Sequence, residues 1–181
     1  MKFMQLIVAA VISLTAVASH AAFTSNPAMT EAQVRAEIVS QLAAQTPPGS
    51  NLEAVAQNAA DAGVDMTVFV RAAMDIPGIT PAQAVYAAVK AQPSRAAAIA
   101  EAAARKDPNS SIKIASAAAR AAPESADAIA DVVAAVKPEW AWSIYAAVLN
   151  AVPEASLTWL NSQTFCLVAS ANCQTPTASP N

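Results

Sequence analysis

Residues 93–152 read PSRAAAIAEAAARKD, PNSSIKIASAAARAA, PESADAIADVVAAVK and PEWAWSIYAAVLNAV, four consecutive 15-residue segments that each begin with proline. A fifth proline, Pro153, follows at the same distance. An isoleucine lies six residues after each of the four prolines, and Trp159 lies six residues after Pro153. Valines extend the spacing toward the N-terminus, with one 14-residue step before Ile99: Val85, Val70 and Val55. Spacing this regular indicates an internal repeat of structural units.

Each unit carries the apolar pattern of one helix. Counted from its proline, apolar residues recur at positions +3, +6, +7, +10 and +11, which share one face of an α-helix. Proline is suited to the first turn of a helix, where its missing N–H has no intrahelical partner to lose. Glutamate follows several of the prolines and basic residues lie near the other ends, as the helix dipole favours.

The pattern predicts an all-α fold of about nine short helices, either an α-solenoid-like array or a compact helical bundle. Helices of 10 to 12 residues are marginal alone, so they must stack to bury their faces. Three sequences of the capping-box type mark earlier helix starts: Thr30–Gln33, Ser50–Glu53 and Thr80–Gln83. The predicted helices cover residues 31–45, 51–62, 66–75, 81–91, 94–106, 109–121, 124–136, 139–151 and 154–164.

Alanine supplies most of the apolar composition. It accounts for 49 of the 181 residues, whereas glycine occurs three times and charged residues make up 13% of the chain. Alanine is the strongest helix former and is small enough to let helices approach closely. The composition therefore agrees with a densely packed helical protein.

Residues 1–21 have the pattern of a secretory signal. A short basic start at Lys2 precedes an apolar stretch, and small residues occupy Ser19 and Ala21. We expect cleavage after Ala21, because the apolar stretch is short for an uncleaved membrane anchor, the alternative. The chain is then exported, either periplasmic or secreted, with no transmembrane segment after cleavage. The remaining segments are predicted as a flexible end at 22–29, a helical repeat domain at 30–173 and a disordered tail at 174–181.

The inventory of reactive side chains excludes several chemistries. Signal cleavage removes His20, the only histidine, and with it histidine-dependent triads and the usual zinc sites. The three glycines form no phosphate-binding loop, and acids outnumber bases by 13 to 10, which argues against nucleic-acid binding. We therefore expect no cofactor, no metal and no enzymatic activity.

The two cysteines, Cys166 and Cys173, lie beyond the last predicted helix. In an exported protein an even pair predicts a disulfide. The alternatives are a redox pair or a metal site, but the chain lacks the C-x-x-C spacing. A disulfide here would close the end of the array.

Aromatic residues cluster near the same end of the chain. Tyr145 and Trp159 take the core positions +7 and +6, whereas Trp142 lies at +4, where its environment is ambiguous. Trp140 lies at +2, where the other units place residues that tolerate water: Arg95, Ser110, Ser125 and Ala155. Trp140 and Trp142 are candidate partner-binding residues. The alternative is that these large side chains close the terminal core.

Carboxylates are the remaining catalytic candidates. Asp127 and Asp131 lie four residues apart and could share a helix face, as a glycosidase pair would require. We interpret them as a solvated face, since most acids here have local roles. Three spacings predict ion pairs within single helices: Glu31–Arg35, Arg71–Asp75 and Glu101–Arg105.

The function predicted from these observations is that of a non-enzymatic scaffold or protein-binding module of the cell envelope or extracellular space. Repeat arrays present extended faces that commonly serve binding. The alternative is a structural subunit that self-associates into a surface or matrix assembly, because open array ends can stack.

Overall fold

A computed structural model of the protein describes residues 23, 28–45 and 51–152. This part of the chain contains eight α-helices and no strand, which confirms the all-α prediction. The helices are α1 (Glu31–Ala44), α2 (Leu52–Asp61), α3 (Met66–Met74), α4 (Pro81–Ala91), α5 (Ala96–Lys106), α6 (Ser111–Ala121), α7 (Ala126–Val136) and α8 (Ala141–Ala151).

The 15-residue spacing extends further than the valines indicated. Helices α3 to α8 begin at residues 66, 81, 96, 111, 126 and 141, so the single 14-residue step falls between α2 and α3. The valine spacing is therefore wrong by one residue in α3 and α4, where Phe69 and Ala84, not Val70 and Val85, take the position of the repeated isoleucine. Val85 occupies the next core position, which is alanine in α5 and α6.

Each repeat proline starts a 3₁₀ turn rather than the α-helix itself. The turns are Pro93–Arg95, Pro108–Ser110, Pro123–Ser125 and Pro138–Trp140, and an α-helix begins directly after each. The amide that follows each turn donates back to the proline carbonyl oxygen, which is the tighter 3₁₀ bond. The third residue of each turn has φ between −113° and −96° and ψ near 10°. The α-helices therefore start two residues later than the sequence predicted.

The helices form a compact array of two rows. One row contains α1, α3, α5 and α7, the other contains α2, α4, α6 and α8, and each helix packs most closely on the helix two places along. Ion pairs show that α3 and α5 run parallel. Arg95 before α5 meets Asp65 before α3 at 3.1 Å, and Lys106 at the end of α5 meets Asp75 just after α3 at 2.8 Å.

The core runs between the rows and is built from the repeated positions. The four isoleucines Ile99, Ile114, Ile129 and Ile144 are fully buried and belong to one core cluster that is rich in buried alanines. Burial at +3, +6, +7, +10 and +11 is confirmed throughout α5, α6 and α7. In α8 the +11 residue, Leu149, is only half-buried.

Helices α4 and α6, inside a row, bury more of their surface than α8, at the end of the described row. Helix α6 also buries Ala117, and the equivalent Ala87 of α4 is buried too. The equivalent residue of α8, Ala147, is half-buried. Within the described residues α8 is the last helix of its row, so one of its flanks has no helix beside it.

The structure confirms two capping boxes and corrects the third. Thr30 and Thr80 each cap a helix in reciprocal bonding with a glutamine three residues on. Helix α2 is capped by Asn51, whose side chain accepts from the amide of Ala54 at 3.0 Å. The predicted Ser50 start is thus wrong by one residue, and Glu53 instead pairs with Lys90 of α4 at 2.7 Å.

Most of the predicted ion pairs within helices are replaced by pairs between helices. Glu101 and Arg105 do pair, at 2.7 Å. Glu31 of α1, however, contacts Arg71 of α3 at 3.0 Å and Lys106 of α5 at 2.6 Å. The predicted Glu31–Arg35 and Arg71–Asp75 pairs are therefore wrong, because cations on stacked helices offer the carboxylates closer partners.

The N-terminal and C-terminal predictions lie mostly outside the described residues. This applies to the signal at 1–21, the ninth helix at 154–164 and the tail at 174–181. Within the predicted N-terminal end, Phe23 is described and is buried. Among the described helices, none combines the length and apolar character that a membrane crossing requires.

Candidate functional site

The described array ends in an aromatic and acidic surface on α7 and α8, which we call the α8 patch: Trp142, Tyr145, Asp127 and Asp131. The Trp142 side chain is 52% exposed. Among the described residues, only Val39 of α1, at 48%, is another large hydrophobic side chain with comparable exposure. The α8 patch therefore presents an indole to solvent at one end of the array.

A hydrogen bond ties the two helices together under this surface. The Tyr145 hydroxyl donates to Oδ1 of Asp131 at 2.8 Å. Burial, the hydrogen bond to Asp131 and the negative charges of Asp131 and Asp127 together raise the pKa of Tyr145 to about 12, because each disfavours the phenolate. The phenol thus keeps its proton and donates at neutral pH. Tyr145 is buried, as predicted for a +7 position.

The same bond gives Asp131 a structural role. The sequence predicts Asp127 and Asp131 as part of a solvated face. In the structure both lie close enough to Tyr145 to affect its ionisation, and Asp131, although exposed, accepts a hydrogen bond from its hydroxyl. Asp131 is exposed and Asp127 is half-buried, so the α8 patch carries negative charge as well as the indole, which suits a partner with cationic side chains.

Trp140 and Trp142 have different environments although they are two residues apart. Trp140 is half-buried and packs against the core, rather than facing solvent. The Lys137 ammonium lies 4.3 Å from the centroid of its ring, a cation–π contact. Lys137 also pairs with Glu139 at 3.4 Å. Of the two predicted partner-binding residues, Trp142 is the one that the fold leaves accessible.

A second surface, which the sequence did not indicate, is a groove over α4. Its volume is about 910 Å³. The end of α1, the start of α2, the α3–α4 turn, the outer face of α4 and one residue of α6 contribute to its wall. We call it the α4 groove. Its main apolar residues are Leu42, Leu52, Ile76, Ile79, Ala82 and Tyr86, and its charged residues are Glu53 and Arg120.

The α3–α4 turn gives the groove a fixed edge. The Ile79 amide donates to the Ile76 carbonyl oxygen at 3.1 Å, with Pro77 and Gly78 between them. Gly78 has φ of +90°, which with proline before it fits a type II turn that needs glycine at this position. Both flanking isoleucines are half-buried and line the groove.

The charges around the groove are unevenly matched. Glu53 of the wall pairs with Lys90 of α4 at 2.7 Å, and the Lys90 ammonium lies 5.5 Å from the Tyr86 ring centroid. Arg120 of the wall is exposed, and no ion pair joins it to another residue of the described part. The groove therefore combines an apolar floor with an unneutralised cation.

Sequence reasoning missed the α4 groove because its wall comes from segments up to 78 residues apart, from Leu42 to Arg120. Two local signals could have drawn attention to it. Tyr86 is the one aromatic residue in α4, at a position where α6 carries Ser116. The Pro77-Gly78 pair marks a tight turn next to it.

The predicted disulfide, Cys166 to Cys173, and the core residue Trp159 lie outside the described residues. Within the described part, no group of three or more histidine, cysteine, aspartate or glutamate side chains is placed to hold a metal ion.

No family model matches this sequence, and comparison with curated proteins and with solved structures finds no significant match.

Proposed function

We propose that the protein is an exported, non-enzymatic helical-repeat scaffold that binds a partner protein of the cell envelope or extracellular space through the α8 patch. One observation carries the proposal: a tryptophan that is 52% exposed projects from an otherwise well-packed helical array. Tryptophan is among the residues most enriched at binding hot spots.

The surroundings of Trp142 support a binding role. Helix α8 is held to α7 by the Tyr145–Asp131 bond, so the indole is presented from a fixed helix instead of a loop. Preorganised side chains lose little conformational entropy on binding. The adjacent carboxylates favour a partner surface that offers lysine or arginine to the indole and the acids.

Site-specific photo-crosslinking tests the proposal. A benzoylphenylalanine replaces Trp142 in cells that produce the protein, and the matched control carries it at Val39, the other exposed large hydrophobic residue. We expect a discrete adduct with a different protein from position 142 only. Capture of that same partner from envelope extract should be lost with Trp142→Ala and retained with Val39→Ala.

The half-buried flank of α8, with Ala147 and Leu149, favours the second candidate, a self-associating structural subunit. Adducts between two copies of the chain, together with a mass that rises with concentration in light scattering, would support that candidate and contradict the first. Equal crosslinking from both positions, or none from position 142, contradicts a binding role of Trp142.

A further inference from the structure

We propose that the α4 groove is a docking site for an acidic peptide segment, with one bulky apolar side chain of the peptide seated between Ile79 and Tyr86 and its carboxylates beside Arg120. The site is separate from the α8 patch and calls for a partner of opposite charge. It therefore adds a second binding activity to the one proposed above.

The floor of the groove fits an apolar side chain. Leu52, Ile76 and Ile79 are each half-buried, so part of their apolar surface stays in contact with water. A volume of about 910 Å³ lies within the range of sites that enclose ligands. Seating a leucine or phenylalanine side chain there removes both apolar surfaces from water, which is favourable.

The positive charge on α4 and α6 favours a negatively charged partner. These two helices contain Lys90, Lys113 and Arg120 and no aspartate or glutamate. Glu53 neutralises Lys90, which leaves Lys113 and Arg120 as exposed cations with no ion pair in the described part of the chain. Being seven residues apart, they share one face of α6. Of the two, Arg120 lies on the groove wall, so a carboxylate on a docked segment would complement it.

The shape of the groove favours a peptide over a free fatty acid, which has a similar apolar and anionic character. The groove is not an enclosed cavity, whereas sites for small ligands bury most of the ligand surface. Asn51 and Gln83 also lie on its wall, and amide side chains can pair with a peptide backbone. An acyl chain would gain nothing from those amides.

Selection from a phage-displayed library of random 12-residue peptides provides the first test, because it does not presuppose a sequence. The purified protein is the bait, and the Arg120→Glu variant is used for counter-selection. We expect enrichment of peptides with leucine, isoleucine or phenylalanine flanked by aspartate or glutamate. The enriched peptide, labelled with fluorescein, then serves as the probe in anisotropy titrations.

Paired variants locate the binding. Arg120→Glu should weaken binding by about fivefold or more at low salt, and the matched Arg105→Glu on α5 should leave it unchanged. Ile79→Asp should abolish measurable binding, whereas Val39→Asp, on an exposed site of α1, should not. Circular dichroism checks that each variant is folded. Binding should weaken as salt is raised, since the charges involved are exposed.

Three results would overturn the proposal. They are enrichment of basic or uncharged peptides, equal losses from Arg120→Glu and Arg105→Glu, and displacement of the peptide by dodecanoate at concentrations below its micelle threshold. Peptide binding that survives Trp142→Ala but fails with Ile79→Asp supports the groove independently of the α8 patch.

Discussion

Helices α1–α4 and helices α5–α8 belong to the same two-row array, but the two halves differ in helix length and in how the N-terminus of each helix is capped. The first four range from 9 to 14 residues, and a side chain caps the start of each. The last four all contain 11 residues, follow a proline turn and have no side-chain cap at the α-helix start.

The ion pairs also differ between helices α1–α4 and helices α5–α8. Each ion pair between helices includes a residue from α1–α4 or its caps, as in Glu31–Arg71, Glu53–Lys90 and Asp65–Arg95. Within the second half, the described ion pairs join residues close in sequence. Regular units thus align through repeated apolar packing, while the irregular units add polar contacts at their ends.

The largest expected effect comes from the repeated isoleucine. Ile114→Ala should destabilise the protein by about 2–5 kcal/mol, because it removes a fully buried side chain and leaves a cavity. Ile112→Ala, on the same helix but half-buried, should cost clearly less. Urea unfolding followed by circular dichroism measures both, and equal losses would contradict the importance of the repeated position.

Enlarging a buried alanine should have the next largest effect. Ala118 of α6 is fully buried between helices, so Ala118→Leu should cost about 1–3 kcal/mol through overpacking. The same change at the exposed Ala98 of α5 should be nearly neutral. Thermal unfolding distinguishes them, and a tolerated leucine at position 118 would show that the helices are not closely packed there.

Removing a helix cap tests the contrast between the halves directly. Thr80→Ala should cost about 1 kcal/mol, since the hydroxyl of Thr80 caps α4 in a capping box. Ser125 precedes α7, and its side chain makes no capping hydrogen bond. Ser125→Ala should therefore change the free energy of unfolding by less than about 0.5 kcal/mol. Comparable losses in denaturant titrations would mean that both halves depend on caps.

The smallest effect should come from Glu31. Burial opposes its ionisation, but hydrogen bonds and charge from Lys106 and Arg71 outweigh burial and lower its pKa below 4.5. Glu31→Gln should therefore cost less than about 1 kcal/mol at pH 7.

The pH dependence of that cost has a definite sign. Because the folded-state pKa is lowered, the stabilisation is complete above the unfolded value and is lost as pH falls through the folded one. The stability difference between Glu31→Gln and the unchanged protein should therefore shrink as the pH is lowered and disappear once Glu31 is protonated in the folded state. Glu124→Gln, an exposed site in the second half, serves as the control, and a difference that persists in acid would contradict the ion-pair explanation.

The sequence predicted the repeated half well because its signals are local. Proline positions and apolar spacing identify α5–α8 and nearly all of their buried residues. The predicted helix starts were two residues early because proline is compatible with both a 3₁₀ and an α-helical first turn, and spacing cannot distinguish them.

The remaining features depend on contacts between distant segments. Glu31 is separated from Lys106 by 75 residues, so no pattern within one helix reveals that pair. Likewise, Trp140 occupies a position that is polar in the other repeats, yet Lys137 and the core cover part of it. The wall of the α4 groove likewise forms only when four separate segments of the chain come together.

The two-row arrangement has a consequence for how such a chain can change in length. From α3 onward, neighbouring helices of one row start 30 residues apart, as Ala84, Val85 and Ala88 of α4 are from Ile114, Ala115 and Ala118 of α6. Duplicating one 15-residue unit would move every later helix to the opposite row and exchange the surfaces that α4 and α6 now present. Duplicating two units would preserve them, so gene-level expansion of this protein should proceed in pairs of helices.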